Sequence, residues 1–312
     1  MTNRRRLPLL VALSVVAGSL VLSGCSDPTA SPASSGGSAA ASKLTVSSAN
    51  FTESEIIGNL YAEALKAKGY DVATKFNIGS REAYIPALAD GSIDLIPDYT
   101  GNLLLFLDKN ADVSTPAAIL NGLPAALLAK NLAALTPAAA EDKDSVVVTK
   151  ATADKWNLKS IGDLAAHNAE VTMAGPPEFK ERPVGLPGLE KNYGLVPAKF
   201  VPIADGGGPA TVKALLDGSV TAANIFTTST AIPANDLVVL EDPKNNFPAQ
   251  QVIPVAGKDK LDMKAIETID AVSAKLSTEE LIKLNEQVSG DSKTEPKAAA
   301  IAWLTEQGLL SK

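Results

Sequence analysis

Few side chains in this sequence are placed to do covalent chemistry. There is one histidine, His167, at the end of a polar helical stretch, and one cysteine, Cys25, near the N-terminus. No GxSxG, HExxH or downstream cysteine nucleophile occurs. The acids Asp94 and Asp98 stand four residues apart on a predicted strand, which separates them by about 13 Å, too far for a working carboxylate pair. Gly206-Gly207-Gly208-Pro209 follows a strand and opens a helix in the manner of an anion-cradling loop. It has neither GxGxxG nor the Lys-Ser/Thr of a P-loop, so a tight turn accounts for it better. No metal-ligand set or cofactor motif is expected. What remains are rings followed by hydroxyls, Tyr99-Thr100 and Phe226-Thr227. These are binding groups, and the chain reads as a non-enzyme.

The two pairs end two copies of one unit. Residues 87–100 read ALADGSIDLIPDYT and residues 214–227 read ALLDGSVTAANIFT, identical at six of fourteen positions without a gap. Each is a helix end, an Asp-Gly turn, a strand and the aromatic-Thr pair. Around them strands alternate with helices. Strands are expected at 44–48, 72–78, 93–96, 145–149, 170–174, 200–203, 220–225, 238–240 and 251–255. Helices are expected at 53–68, 81–89, about 115–134, 160–166, 186–193, 209–216 and through 263–310. Thr52 with Glu55 fits a capping box for the first helix, and Gly69 its end. Alternation of this kind implies parallel α/β sheets. Ligands of such sheets bind beyond the carboxyl ends of the strands. Two halves of like construction, facing across a cleft, would each present one aromatic ring there.

The ends and the composition set the context. Arg4, Arg5 and Arg6 precede an apolar run, Leu7 to Leu22, that ends in Leu22-Ser23-Gly24-Cys25. This reads as a secretory signal over 1–24, short for a membrane span. Cys25 sits where a lipobox places the diacylated residue, and two acyl chains give a stable anchor. Residues 26–42 are Ser, Ala, Gly and Pro with one charge, a flexible tether. The expected location is the outer face of the cell membrane. Apolar residues make up 46% of the chain and aromatics only 4%, so the core is aliphatic. With a single cysteine no internal disulfide forms. A net charge of −7 argues against nucleic acid as a partner.

Several segments, in order, resemble one family. They are Asn50-Phe51-Thr52-Glu53-Ser54, Gly79-Ser80-Arg81-Glu82-Ala83-Tyr84, Pro97-Asp98-Tyr99-Thr100-Gly101 and Pro177-Glu178-Phe179-Lys180-Glu181-Arg182. Gly188-Leu189, the Leu215-Asp217-Gly218 turn and Leu240-Glu241-Asp242-Pro243-Lys244 follow. Together they resemble the substrate-binding proteins of osmoprotectant ABC importers of the glycine betaine, choline and carnitine type. The resemblance spans Leu44–Leu310. It implies a two-lobed, periplasmic-binding-protein-like (type II) α/β fold with a ligand cleft between lobes. Lobe I would be residues 43–143 and 256–312, lobe II residues 144–255, with crossings near 142–146 and 250–255. The implied partners are a small-molecule solute, an ABC permease and its ATPase, and the membrane through the lipid. A monomer is expected. Phe226, Ser229 and Gln251 depart from the Tyr, Asp and Asn common in the family at these places.

The resemblance gives the remaining residues roles. A trimethylammonium head offers no hydrogen-bond donor, so shape and aromatic faces must hold it. Tyr99 and Phe226 are the leading rings. Tyr84 is a third, or else a helix residue packed on the sheet. Phe51 lines the floor, or staples its helix. Arg182 matches the family's carboxylate-binding arginine; the alternative is a surface ion pair with Glu178 or Glu181. Arg81 is a second cation, or part of a solvated first turn. Asp98 lies within the third motif. Thr52, Ser80, Thr100 and Thr227, at strand ends and helix starts, and Gln251 complete the set.

Overall fold

The computed structural model describes residues 43–310. The signal, Cys25 and the tether lie outside the described residues. The strands sort into two five-stranded sheets. The first holds β1 (Leu44–Ser47), β2 (Val72–Lys75), β3 (Leu95–Tyr99), β4 (Leu132–Ala134) and β10 (Val252–Gly257), in the order β2-β1-β3-β10-β4. The second holds β5 (Asp144–Thr149), β6 (Thr172–Gly175), β7 (Lys199–Pro202), β8 (Ala222–Phe226) and β9 (Leu237–Val239), in the order β7-β6-β8-β5-β9.

The sheets share a plan. In each, three parallel strands run second-first-third, and the third pairs with one antiparallel strand. They are therefore mixed, not parallel as expected. β10 and β5 run against their neighbours because each occupies its place after the chain has changed sheets. The repeat read from sequence falls on the same place in both plans: β3 and β8 are the third strands, and Gly91 (φ 79°) and Gly218 (φ 75°) make the same left-handed turn before them. β10 belongs wholly to the first sheet, so the return crossing precedes Val252 and does not extend to residue 255.

Helix α1 (Thr52–Ala67) buries Ile56, Ile57, Leu60, Tyr61, Ala64 and Leu65, a stripe at three- and four-residue spacing. It packs against the first sheet and against α10 (Met263–Ser273), α11 (Thr278–Ser289) and α12 (Pro296–Glu306). Those three replace the single helical run expected over 263–310; Ser277 caps α11 and Pro296 opens α12. The Thr52–Glu55 capping box does not form. Phe51 is the N-cap, and Glu55 accepts instead from Asn77 Nδ2 at 2.8 Å. Helix α2 (Arg81–Asp90) precedes β3, and α4 (Pro116–Leu128) stops short of 134 because Asn131 turns left-handed (φ 59°) into β4.

Two helices, α3 (Thr100–Leu107) and α5 (Lys150–Trp156), were not legible in the sequence. The second sheet carries α5, α6 (Ile161–Ala165), α7 (Leu186–Tyr193), α8 (Pro209–Leu216) and the short α9 (Ala231–Ala234). Among the described residues no helix is long and apolar enough to cross a membrane.

Candidate functional site

The carboxyl ends of β3 and β8 meet side chains from both halves around a small cavity of about 70 Å³. That is room for roughly five water-sized spheres, the scale of a small solute. Phe51, Tyr84, Tyr99, Phe179 and Phe226 line it, a large share of the aromatic residues in a ring-poor chain. The Phe51 ring lies 6.1 Å from Tyr99 and 5.2 Å from Phe226, edge-on to the latter. Gly206, left-handed at φ 62°, lets the second half approach, since a Cβ there would stand 2.7 Å from Phe51 Cβ.

Below the cavity Asp98 is fully buried and gathers four donors. Arg81 Nη2 and Nε donate to it at 2.6 and 3.1 Å, Tyr84 Oη at 2.8 Å and the Tyr99 amide at 2.6 Å. Burial works against the Arg81 charge, but Asp98 and the groups around it hold the guanidinium ionised, above its ordinary value. Burial likewise pushes the Tyr84 hydroxyl well up. Arg81 therefore lines the cavity as a buried ion-paired cation, not as part of a solvated turn.

Arg182 enters from the other side. Its Nη2 donates to Glu82 Oε2 at 3.1 Å, across the cleft, and lies 3.5 Å from Glu178. Its Nε is buried and has no partner among the described residues. Ser80 Oγ donates to Glu82 at 2.5 Å; burial opposes ionisation of Glu82, but that bond and Arg182 together hold it below the usual carboxylate range. Asp142 and Asp144 form an acidic wall. Asp144 is fixed by Asn102 Nδ2 at 2.7 Å and Asn224 Nδ2 at 3.1 Å.

Of the residues singled out from sequence, Phe51, Ser80, Arg81, Tyr84, Tyr99, Arg182 and Phe226 line this cavity. The others do not. Asp98 sits behind it. Thr52 faces a wider groove of about 750 Å³ on the outer side of Phe51 and Phe226. Thr100, Thr227 and Gln251 build the crossings. Thr100 Oγ1 accepts from the Gln251 amide, Gln251 Nε2 donates to Ala138 O, and Thr227 Oγ1 accepts from the Lys143 amide. Strand twist at these ends turns the hydroxyl after each ring away from the cleft.

Glu53, Asn50, Asn102, Asp142, Asp144, Glu178 and Phe179 were assigned no role from sequence. Asn50, Glu53, Glu178 and Phe179 fall inside the recognised motifs, and Asp142 and Asp144 in the expected crossing, which were the only signals available. His167 stacks on Trp156 at 4.3 Å, far from this chemistry in role. Among the described residues no group of three His, Cys, Asp or Glu could hold a metal.

The chain matches the family model "substrate binding domain of ABC-type glycine betaine transport system" over residues 42–306. It is 29% identical over 277 residues to the glycine betaine-binding protein YehZ of Escherichia coli, covering 84% of this chain and 90% of that protein. It is 26% identical to the carnitine transport binding protein OpuCC of Listeria monocytogenes, over 96% of both. It is 27% identical to the ergothioneine transport permease/binding protein EgtU of Helicobacter pylori, over 85% of this chain and 48% of that one. The crystal structure of a glycine betaine/carnitine/choline ABC transporter protein superposes with a TM-score of 0.67 at 24% identity, over 86% of this chain and all of that one. The match to the family model over residues 42–306 places the chain in the family of substrate-binding domains of ABC-type glycine betaine transport systems.

Proposed function

We propose that the cavity captures a small quaternary-ammonium solute, of the glycine betaine, choline or carnitine kind, for delivery to an ABC permease and its ATPase. The carrying observation is the convergence of Phe51, Tyr84, Tyr99 and Phe226 from both halves beside Asp144. A methylated cation can be held only by faces and opposing charge, at about 0.5–2 kcal/mol per ring. The unpartnered Nε of Arg182 suits the carboxylate of a zwitterion, as one arm of a charge-assisted contact. Contacts across the cleft, among them Asn50 Nδ2 to Ala204 O at 3.4 Å and the Arg182–Glu82 pair, support a closed arrangement reached by hinging at the two crossings.

The rest of the reading follows from the N-terminal sequence. Cys25 carries the lipid that holds a monomer on the outer face of the membrane, and residues 26–42 are its tether. Cys25→Ala should move the protein from the membrane fraction to the soluble fraction; retention would sink the anchor.

A calorimetric panel of glycine betaine, choline, carnitine, ergothioneine and proline tests the solute class. Binding of the quaternary members with little response to proline supports the reading. Binding of proline alone would move it to a non-quaternary zwitterion, the reading that Phe226, Ser229 and Gln251 leave open.

A further inference from the structure

Glu53 is the second residue of α1, next to exposed Thr52, yet only 5% of its surface is accessible. An acid in a first turn is ordinarily solvated and favoured as an anion by the helix dipole. This one is enclosed by three donors from three elements. Tyr99 Oη, at the end of β3, donates to Oε1 at 2.5 Å. Thr228 Oγ1, in the turn after β8, and Asn285 Nδ2, on α11, donate to Oε2 at 2.5 and 2.6 Å. Tyr99 and Asn285 belong to the first sheet's side and Thr228 to the second's. One carboxyl thus spans the cleft while fixing a ring of the solute cavity.

A second acid, Asp142, also 5% accessible, is joined to it through Thr228, whose hydroxyl donates to Glu53 and whose amide donates to Asp142. Asp142 accepts from the Thr228 amide at 3.0 Å and from Thr227 Oγ1 at 3.2 Å. Among the described residues no Lys, Arg or His pairs with either acid. The other ionisable groups facing them are the Tyr99 hydroxyl and, behind it, Asp98. Glu141, Lys143 and Asp144 flank Asp142 on the crossing strand, and Glu286, Asp291 and Lys293 line the groove outside Glu53. Two buried carboxyls bridged by one threonine and without a cation do not both ionise; they hold one proton between them.

We propose that Glu53 is a positioning residue for solute capture, tying the Tyr99 ring to Thr228 across the cleft, and that closing the cleft over a solute takes up the proton Glu53 shares with Asp142. This rests on the solute reading above. Parting the sheets would admit water, whose solvation outweighs the loss of the Thr228 hydrogen bond, and Glu53 would then ionise as an ordinary carboxyl. Burial, foremost, pushes both acids up in the closed form, with the Glu53 charge adding to the effect on Asp142. A group raised in the closed form favours closure fully below its open-form value, and that contribution is lost as pH rises through the closed-form value. Solute affinity therefore falls as pH rises across that window.

The test is calorimetry of the full chain with glycine betaine, in buffers of different ionisation enthalpy and at several pH values. Wild type should take up about one proton per solute, with Kd rising by up to about tenfold per pH unit inside the window. Glu53→Gln, which keeps the shape without the proton, should show no uptake and a flat pH profile. Thr228→Val, which removes a hydrogen bond that favours the Glu53 anion, should weaken binding and carry the uptake to higher pH. A wild type that binds without uptake, with the same pH profile as Glu53→Gln, overturns the proposal. If no quaternary solute binds wild type, the solute reading fails by itself. The shared proton is then judged by urea midpoints against pH, where wild type should lose more stability than Glu53→Gln as pH rises, and parallel curves overturn it.

Discussion

The ends of β3 and β8 were built from the same sequence unit and finish differently. In the first, the residue before the ring is Asp98, a buried anion that anchors Arg81, Tyr84 and the Tyr99 amide. In the second, the matching residue is apolar Ile225, and the charge beside Phe226, Asp144, comes from the paired strand β5 and not from the unit itself. The helix starts differ in the same way. The first turn of α2 brings Arg81 to the cavity. That of α8 is closed by the chain itself, because Asp205 accepts from the Ala210 and Thr211 amides at 2.8 and 3.0 Å. One copy thus exposes polar machinery to a solute, while the other has satisfied its own and offers a ring. The second half's cation comes from elsewhere, Arg182, after the 3-10 turn at Pro177–Lys180. Equivalent topology supplies equivalent positions, and the chemistry is decided by what occupies the residue just before each ring.

The contrast can be broken most sharply at Asp98. Asp98→Ala leaves Arg81 buried and unpaired, and should cost about 3–5 kcal/mol in urea unfolding. A loss below about 1 kcal/mol would show that the network is solvated and that the two halves are alike after all. Next in size, Arg182→Ala should weaken glycine betaine binding by about 1.5–3 kcal/mol by calorimetry, since a charged donor is removed. Choline, which has no carboxylate, should be affected less; an equal loss for both would assign Arg182 to holding the lobes and not the ligand. In the second half, Asp205→Ala removes the acceptor of two first-turn amides and of the Thr211 hydroxyl, and should cost about 0.5–2 kcal/mol of stability. Smallest of all, Phe226→Tyr should change affinity by less than about 0.5 kcal/mol, whereas Tyr99→Leu should cost about 0.5–2 kcal/mol more than Tyr99→Phe, which also loses the hydroxyl given to Glu53 but keeps the π face. Equal tolerance at both rings would remove the cation from the explanation.

Much of this arrangement was legible because it is written in local patterns. The Asp-Gly turns, the strand after each and the ring at its end are neighbours in sequence, so the twin units and Tyr99 and Phe226 could be found without coordinates. What failed depends on distant partners. Glu55 looked like Thr52's capping partner until Asn77, brought in from the loop after β2, took its carboxylate. Thr100, Thr227 and Gln251 sit beside cleft residues in sequence, but pairing between the crossings claims their polar atoms. Glu53 resembles any helix-start acid; its burial needs Thr228 and Asn285, 175 and 232 residues away. Helix α3 was hidden for another reason: Leu103 to Leu107 is apolar throughout and shows no period.

The way the sheets are threaded bears on how the chain is made. All five strands of the second sheet come from one continuous stretch, 144–239, whereas the first needs β10 to join β3 to β4. The contact that seals that gap, the Gln251 amide on Thr100, spans 151 residues. During synthesis from the N-terminus the later sheet is therefore able to finish before the earlier one. Until β10 emerges, β3 presents a bare, wholly buried-type edge and β4 has no neighbour at all, the kind of exposed edge that invites mispairing. The slow and aggregation-exposed step belongs to the half that is made first, and a chain cut before Val252 would leave that half open for good.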